Sequence, residues 1–310
     1  MALNFTTFDV FTTTSFHGNP LAIVQVPAGT KLSQDQKQLI AREFNLSETV
    51  FLHEQTAEDV QARVARVDIF TALAEVPFAG HPTIGTSNFL LHHLRLGSAQ
   101  ILGTKAGLVP FKERVGAEPG AQIAVAHNVH VHQEPFAGTP YGHYPVVSIV
   151  NGMTAILAQL PTLEALAQQT VNLVGTSNTY SAKDSLDEGW RHGPVVSYFF
   201  VDLGPAGAGA GSACRLHTRS FGSREDPGTG SAASGLCAFL SLRDGGEGPL
   251  TKRYEITQGV DIGRRCEIRV QVTLSEDRRS VREILLEGSA VKVLEGRVPV
   301  PGPEVKVCLE

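Results

Sequence analysis

Sulfur and tryptophan are scarce in this sequence: of 310 residues four are cysteine, two methionine and one tryptophan. Cys214, Cys237, Cys266 and Cys308 stand far apart without a C-x-x-C pair, which disfavours both a disulfide framework and a structural zinc site. Thiols that are buried or free in a reducing compartment are expected instead. No run approaches the roughly 20 apolar residues of a membrane span, and no Lys or Arg precedes Lys31, so neither a signal peptide nor a transmembrane helix is expected. Positive charge is not in excess either. Lys plus Arg number 26 against 31 Asp plus Glu, and the net charge of -5 offers nucleic acid or anionic lipid no general attraction. Neither G-x-x-x-x-G-K-[ST] nor a G-x-G-x-x-G strand-to-helix turn occurs, which disfavours nucleotide cofactors, and Ser231 lacks the G-x-S-x-G elbow of a hydrolase nucleophile. These absences leave a soluble, cytoplasmic protein whose partner is recognised locally, with no nucleic acid, no membrane and no cofactor expected.

Hydrophobic residues at 42% and charged residues at 18% are ordinary for a globular chain, and glycine, at 31, is the one excess. The length fits about two domains. Residues 5–11 and 21–26 read as strands around the turn His17-Gly18-Asn19-Pro20. Ser33 and Gln36 form a capping box before the apolar positions Leu39, Ile40 and Phe44, and that helix should stop near Asn45. Glu48 then falls in the strand-like run LSETVFL, and residues 62–70 alternate with period two. A helix is predicted from Pro82 through Thr86 to Leu94, ended by Gly97. Two further strands are predicted in 106–126. The segment 127–146, rich in Pro, Gly and His, is read as a boundary, followed by strands at 146–150 and 155–158, a helix capped by Thr162, a small-residue loop at 205–212, and the strands LHTRSF, YEITQG and EIRVQVTL.

One pattern recurs. Residues 75–90 (EVPFAGHPTIGTSNFL) and 225–240 (EDPGTGSAASGLCAFL) align at an offset of 150, matching Glu75 with Glu225, Pro77 with Pro227, Gly80 with Gly230, Gly85 with Gly235, Phe89 with Phe239 and Leu90 with Leu240. Each copy follows a β-patterned segment, IFT or RSF, with one residue of slip. A strand that passes through a glycine turn into a helix leaves the first helical N–H groups without intrahelical partners and lets a ligand approach them. Two such turns could hold an anionic group or a developing negative charge.

The strings DVFTTTSFHGNPLAIV, IAREFNLSETVFL, IFTALAEVPFAGHPTIGT, RSFGSREDPGTGSA and QGVDIGR together resemble the PhzF-like family of phenazine biosynthesis, of the diaminopimelate epimerase-like fold. The resemblance implies an α/β (α+β) protein of two pseudo-symmetric domains, each a curved, mixed, mostly antiparallel sheet around a central helix. The domains would span 1–127 and 128–286, with 287–310 returning to the first. It also implies a catalytic set of Glu48, His81 and Asp226, with Gly80, Gly230 and Ser231 binding substrate in an interdomain cleft, and a homodimer. A carboxylate in a strand with apolar neighbours to either side, as Glu48 has in Leu46 and Val50, is expected to be partly desolvated and suited both to give and to take a proton.

Racemases of this fold use paired cysteines at the two turns, and none of the four cysteines stands there, so one carboxyl group moving a proton between two carbons is the expected chemistry. The expected activity is a cofactor-independent isomerisation of a small carboxylate-bearing metabolite, the family's type reaction being isomerisation of trans-2,3-dihydro-3-hydroxyanthranilate. A non-catalytic small-molecule-binding or interaction protein is the alternative, and a racemase or epimerase a further one. Two departures from the family pattern bear on the substrate: His17 stands where a glycine is usual, and Arg264, Arg265 and Cys266 follow the QG motif in place of a GRPS-like ending. His127, His130 and His132 cluster in the boundary segment, but their i, i+3, i+5 spacing without a carboxylate motif gives no metal site.

Overall fold

The computed structural model describes all residues except 117, 140, 183–185, 210, 245–247, 303 and 306–310. Cys308 lies outside the described residues. The chain divides into two compact units, 1–123 with 288–310, and 124–287.

In the first unit β1 (Ala2–Val10) and β2 (Asn19–Val26) form an antiparallel pair. The run then crosses through α1 (Gln34–Phe44) to β3 (Glu48–His53), which lies parallel to β2. Ser33 and Gln36 close the capping box in front of α1, and Asn45 ends it in the left-handed region at φ 49. Asparagine tolerates that conformation better than most residues do. After α2 (Ala57–Ala62), with its own capping box of Thr56 and Asp59, β4 (Val64–Phe70) runs antiparallel to β3 and β5 (Glu75–Val76) turns back on β4. Then come α3 (Gly80–Asn88), β6 (Ile101–Thr104), parallel to β4, and the antiparallel strands β7 (Gly107–Glu113) and β8 (Ala121–Ala124).

Because the central strands are covered on both faces, LAIV and TVFL read as continuous apolar runs rather than alternating ones. Ile40 and Ala41 of α1 pack with Leu3, Val24, Phe51 and Phe70 on one face. On the other lies α3, all nine residues of which are buried.

The second unit repeats this order. Short β9 (His130–Val131) and the hairpin β10 (Phe136–Thr139) with β11 (Gly142–Tyr144) precede β12 (Val146–Val150) and β13 (Met153–Gln159), which pair antiparallel. Across α4 (Leu163–Ala167), β14 (Val195–Pro205) is parallel to β13. Next, β15 (Cys214–Phe221) is antiparallel to β14, and β16 (Glu225–Asp226) turns back on β15. Beyond α5 (Gly230–Arg243), β17 (Thr251–Gln258) is parallel to β15 and continues antiparallel into β18 (Cys266–Leu274) and β19 (Val281–Gly288). The last strand, β20 (Ala290–Pro299), pairs antiparallel with β1 along its length. Each unit therefore has a parallel connection over a peripheral helix, a parallel connection over a buried helix, and antiparallel pairing elsewhere. Among the described residues no helix is long and apolar enough to cross a membrane.

Four details differ from the sequence reading. The first buried helix starts at Gly80 rather than Pro82, because Ala79 is the last extended residue (φ -147, ψ 141) and proline then sits in the first turn, where no N–H is needed. It widens into a π turn over Phe89–His93 and ends before Arg95 (φ 49), short of Gly97. The boundary segment 127–146 contains three short strands. The sequence reading also omits α2 and the long strand β14, although the Thr56–Asp59 capping box announces the first and the β-branched and aromatic run VVSYFFV the second.

The two aligned helix glycines differ in their surroundings. A Cβ on Gly85 would come within 2.4 Å of Leu21 Cδ2 and 2.8 Å of Val10 Cγ2, both fully buried, whereas one on Gly235 would meet only Ile149, at 3.7 Å. Gly85→Ala is therefore expected to destabilise by about 1–3 kcal/mol through overpacking. Gly235→Ala should be neutral or stabilising by up to about 1 kcal/mol through helix propensity. Urea unfolding of the two variants checks the contrast.

Candidate active site

Glu48 is the first residue of β3, three residues past the left-handed Asn45 that stops α1 and opposite Leu21 in the parallel register. His81 is the second residue of α3. The two side chains meet, with His81 Nδ1 3.1 Å from Glu48 Oε2. The His81 side chain is 3% exposed and that of Glu48 17%, so the pair is largely withdrawn from water. Gly80, the first residue of the helix, is buried beside them.

The second unit presents Asp226 at the end of β16, with Gly230 and Ser231 as the first two residues of α5. Thr229 donates its hydroxyl proton to Asp226 Oδ2 at 2.5 Å. Glu225, which precedes Asp226, is held by Arg219 in a two-pronged contact, Nε to Oε1 at 2.9 Å and Nη2 to Oε2 at 2.7 Å. Arg219 also donates to the Ala167 carbonyl at 2.9 Å and lies over the Phe221 ring at 5.0 Å. In the first unit the aligned Glu75 pairs with Lys105 at 2.6 Å, and that lysine is 61% exposed. The glutamate of each copy is thus an anchor for its turn. Arg219, Thr229 and Gln258, which tie down the second turn, were not singled out by sequence reasoning; Gln258 stood inside the QGVDIGR string without a role.

The helix caps separate these two helices from the rest. Three peripheral helices, α1, α2 and α4, carry side-chain caps from Ser33, Thr56 and Thr162. Neither α3 after Ala79 nor α5 after Thr229 has a side-chain cap, although both begin in the buried interior. Uncapped first turns point amide dipoles outward and suit an anionic group of a ligand. Inside the helices three hydroxyls are turned back on their own backbone, Thr83 to Ala79 and Gly80, Ser87 to Thr83 and Ser234 to Gly230, so their burial costs little.

Residues 8–296 match the profile of the family described as phenazine biosynthesis-like protein. The chain belongs to that family. Among relatives of this family, an uncharacterized isomerase of Pasteurella multocida is 34% identical, the match covering 96% of this chain and 94% of the relative. The trans-2,3-dihydro-3-hydroxyanthranilate isomerase of Pseudomonas chlororaphis is 31% identical over 83% of this chain and 85% of its own. The crystal structure of a PhzF-family phenazine biosynthesis protein from Bacillus anthracis superposes with a TM-score of 0.73, covering 97% of this chain and 100% of that one at 21% identity. The mixed, mostly sheet architecture described above is the fold of this phenazine biosynthesis-like family.

Among the described residues no cysteine stands in the turns before Gly80 and Gly230. Burial pushes the Cys237 thiol, in the middle of α5, well above its ordinary range, and burial beside Asp202 pushes Cys214 up to about 12. Cys266 is fully buried, while Arg265 is engaged by Glu267 at 2.6 Å. His17 is exposed, next to Gly18, whose φ of 71 and close approach to the Val10 carbonyl admit no side chain.

The histidine cluster is arranged differently from its spacing in sequence. His127 turns to the carbonyls of Val125 and Val281, whereas His130, His132 and Asp187 come within 4.8 Å of one another. Asp187 N–H donates to His132 Nδ1 at 3.1 Å, which leaves the hydrogen on Nε2 for Ser148 at 2.9 Å. Burial, together with the neighbouring His130, holds His132 below the ordinary histidine range. Both nitrogens of a neutral ring are spent, and His130, 2.7 Å from Asp187, stacks on Trp190 at 4.4 Å. Added zinc is expected to leave the melting temperature within about 1 °C; binding far above Kd would raise it by several degrees and contradict this assignment.

The two glutamate anchors should differ in weight. Arg219→Ala strands a half-buried carboxylate and is expected to cost about 3 kcal/mol, whereas Lys105→Ala removes an exposed partner and should cost less than about 1 kcal/mol. Urea midpoints of the two variants measure the difference.

Proposed function

We propose that this protein is an isomerase that moves a proton between two carbons of a small carboxylate-bearing metabolite without a cofactor, with Glu48 as the group that takes and returns the proton. The contact between Glu48 and His81 carries this reading. A carboxylate set against a buried imidazole has one defined orientation in which to meet a C–H bond. His81 and Asp226 orient the polar groups of the substrate. The first-turn amides around Gly80, Gly230 and Ser231 stabilise negative charge on its carboxylate or on the enol-like intermediate, as preorganised donors do at other sites of developing charge.

Membership in the family and the isomerase names of its relatives support the reaction class. The name of the Pseudomonas chlororaphis relative supplies the first compound to try, trans-2,3-dihydro-3-hydroxyanthranilate. Paired-thiol racemisation is disfavoured because Cys214, half-buried, and Cys237, fully buried, both have thiols held above their ordinary range.

Glu48→Gln keeps the shape of the side chain and removes its ability to carry a proton. Turnover is expected to fall about 10³-fold or more, within the range usual for a lost general acid or base, with the melting temperature little changed. Product formation followed by absorbance or chromatography checks it. Unchanged turnover in Glu48→Gln would remove Glu48 from the reaction, and binding without any turnover by the unsubstituted protein would favour a ligand-binding role.

A further inference from the structure

We infer that Gln258 is a positioning residue for Asp226, acting through Thr229, so that the carboxylate is presented as an acceptor to a donor group, an amine or a hydroxyl, on the substrate. This rests on the substrate-orienting role proposed above for Asp226. Gln258 is the last residue of β17, paired with Thr218 of β15 on one side and Cys266 of β18 on the other, and it is completely buried. A buried primary amide is costly unless all its groups are matched.

Here they are matched, and the match has one orientation. The Gln258 Nε2 group donates to the Asp226 carbonyl at 2.8 Å and to Thr229 Oγ1 at 3.0 Å. Its Oε1 accepts from the Thr229 N–H at 3.2 Å, from Tyr198 at 3.0 Å and from Thr218 at 3.3 Å. A backbone carbonyl can only accept and a backbone N–H can only donate, so the two main-chain contacts fix which end of the amide is nitrogen. Thr229 Oγ1, having accepted from Gln258, directs its own hydrogen to Asp226 Oδ2. The direction of every hydrogen from the buried amide to the carboxylate is thereby set: Asp226 Oδ2 receives from Thr229, and an ionised carboxylate has only acceptors to offer a substrate.

The loop after Gln258 keeps the arrangement in place. Gly259 takes φ 76, and a Cβ there would stand 2.6 Å from the Pro227 carbonyl and 2.5 Å from that of Arg264. The backbone beyond the amide is thus pressed directly onto the turn that carries Asp226. Tyr198 and Thr218, both fully buried, close the far side.

The test uses full-length protein with trans-2,3-dihydro-3-hydroxyanthranilate as the probe and compares Gln258→Met, Thr229→Val and Thr229→Ser, each checked for folding by its melting curve. KM is expected to rise about tenfold or more in Gln258→Met and Thr229→Val, as for a lost hydrogen bond to a charged group, with kcat changing less than about threefold. Thr229→Ser should restore the KM, and Gln258→Met combined with Thr229→Val should be no worse than either alone. A KM unchanged in folded Thr229→Val, or additive losses in the double variant, would overturn the relay. If the unsubstituted protein leaves the probe untouched, the substrate reading fails by itself and a crystal structure of Gln258→Met decides the relay. An Asp226 carboxylate still within hydrogen-bond distance of Thr229 Oγ1 overturns it, and one turned away supports it.

Discussion

The two turns depend on one constraint: α3 and α5 begin in the interior with no side-chain cap from their N-cap residues. Burying a helix N-terminus is normally penalised, because its first N–H groups lose water and have no carbonyl behind them. The chain accepts that cost twice, at Gly80 and Gly230, while capping α1, α2 and α4 in the ordinary way. Small residues are frequent in both helices, and the hydroxyls of Thr83, Ser87 and Ser234 are satisfied within the helix itself. Each first turn is then held from behind by a glutamate with a cationic partner, Glu75 with Lys105 and Glu225 with Arg219.

The two units share this plan and differ in how tightly they execute it. The first packs its helix glycine against Leu21 and Val10 and leaves its anchoring lysine in solvent. The second relaxes the glycine contact and buries the anchoring arginine, adding an amide network beneath the turn through Gln258. The acid and the imidazole are together in the first unit, and the acceptor carboxylate with its donor threonine is in the second. Under the proposed function, that division gives proton transfer to the first unit and orientation of the substrate to the second.

Much of this was legible in the sequence, for local physical reasons. The Ser33–Gln36 box and the stop at Asn45 are written in side chains that bond to their own backbone, and both stand where they were read. The repeat was legible because glycine and proline at a turn are constrained by backbone geometry rather than by packing. Even the one-residue slip appears in the pairing, with Phe70 opposite Glu75 and Phe221 opposite Glu225. The grouping of Glu48 with His81 came through resemblance, since 33 residues separate them and only the crossover of β3 beside α3 brings them within reach. Less legible were contacts between distant strands. Gln258 reaches the Asp226 turn because β17 runs parallel to β15, and Asp187 reaches the histidines from 57 residues beyond His130. No periodicity encodes either meeting.

Where the proton comes from and where it goes is the claim on which the rest depends. The most direct measurement is turnover of trans-2,3-dihydro-3-hydroxyanthranilate by the unsubstituted protein in D₂O, with the position of deuterium in the product read by NMR and mass spectrometry. A single carboxyl relay predicts solvent deuterium, up to one atom per molecule, on the carbon that receives the proton. Deuterium confined to an inverted stereocentre would contradict that account.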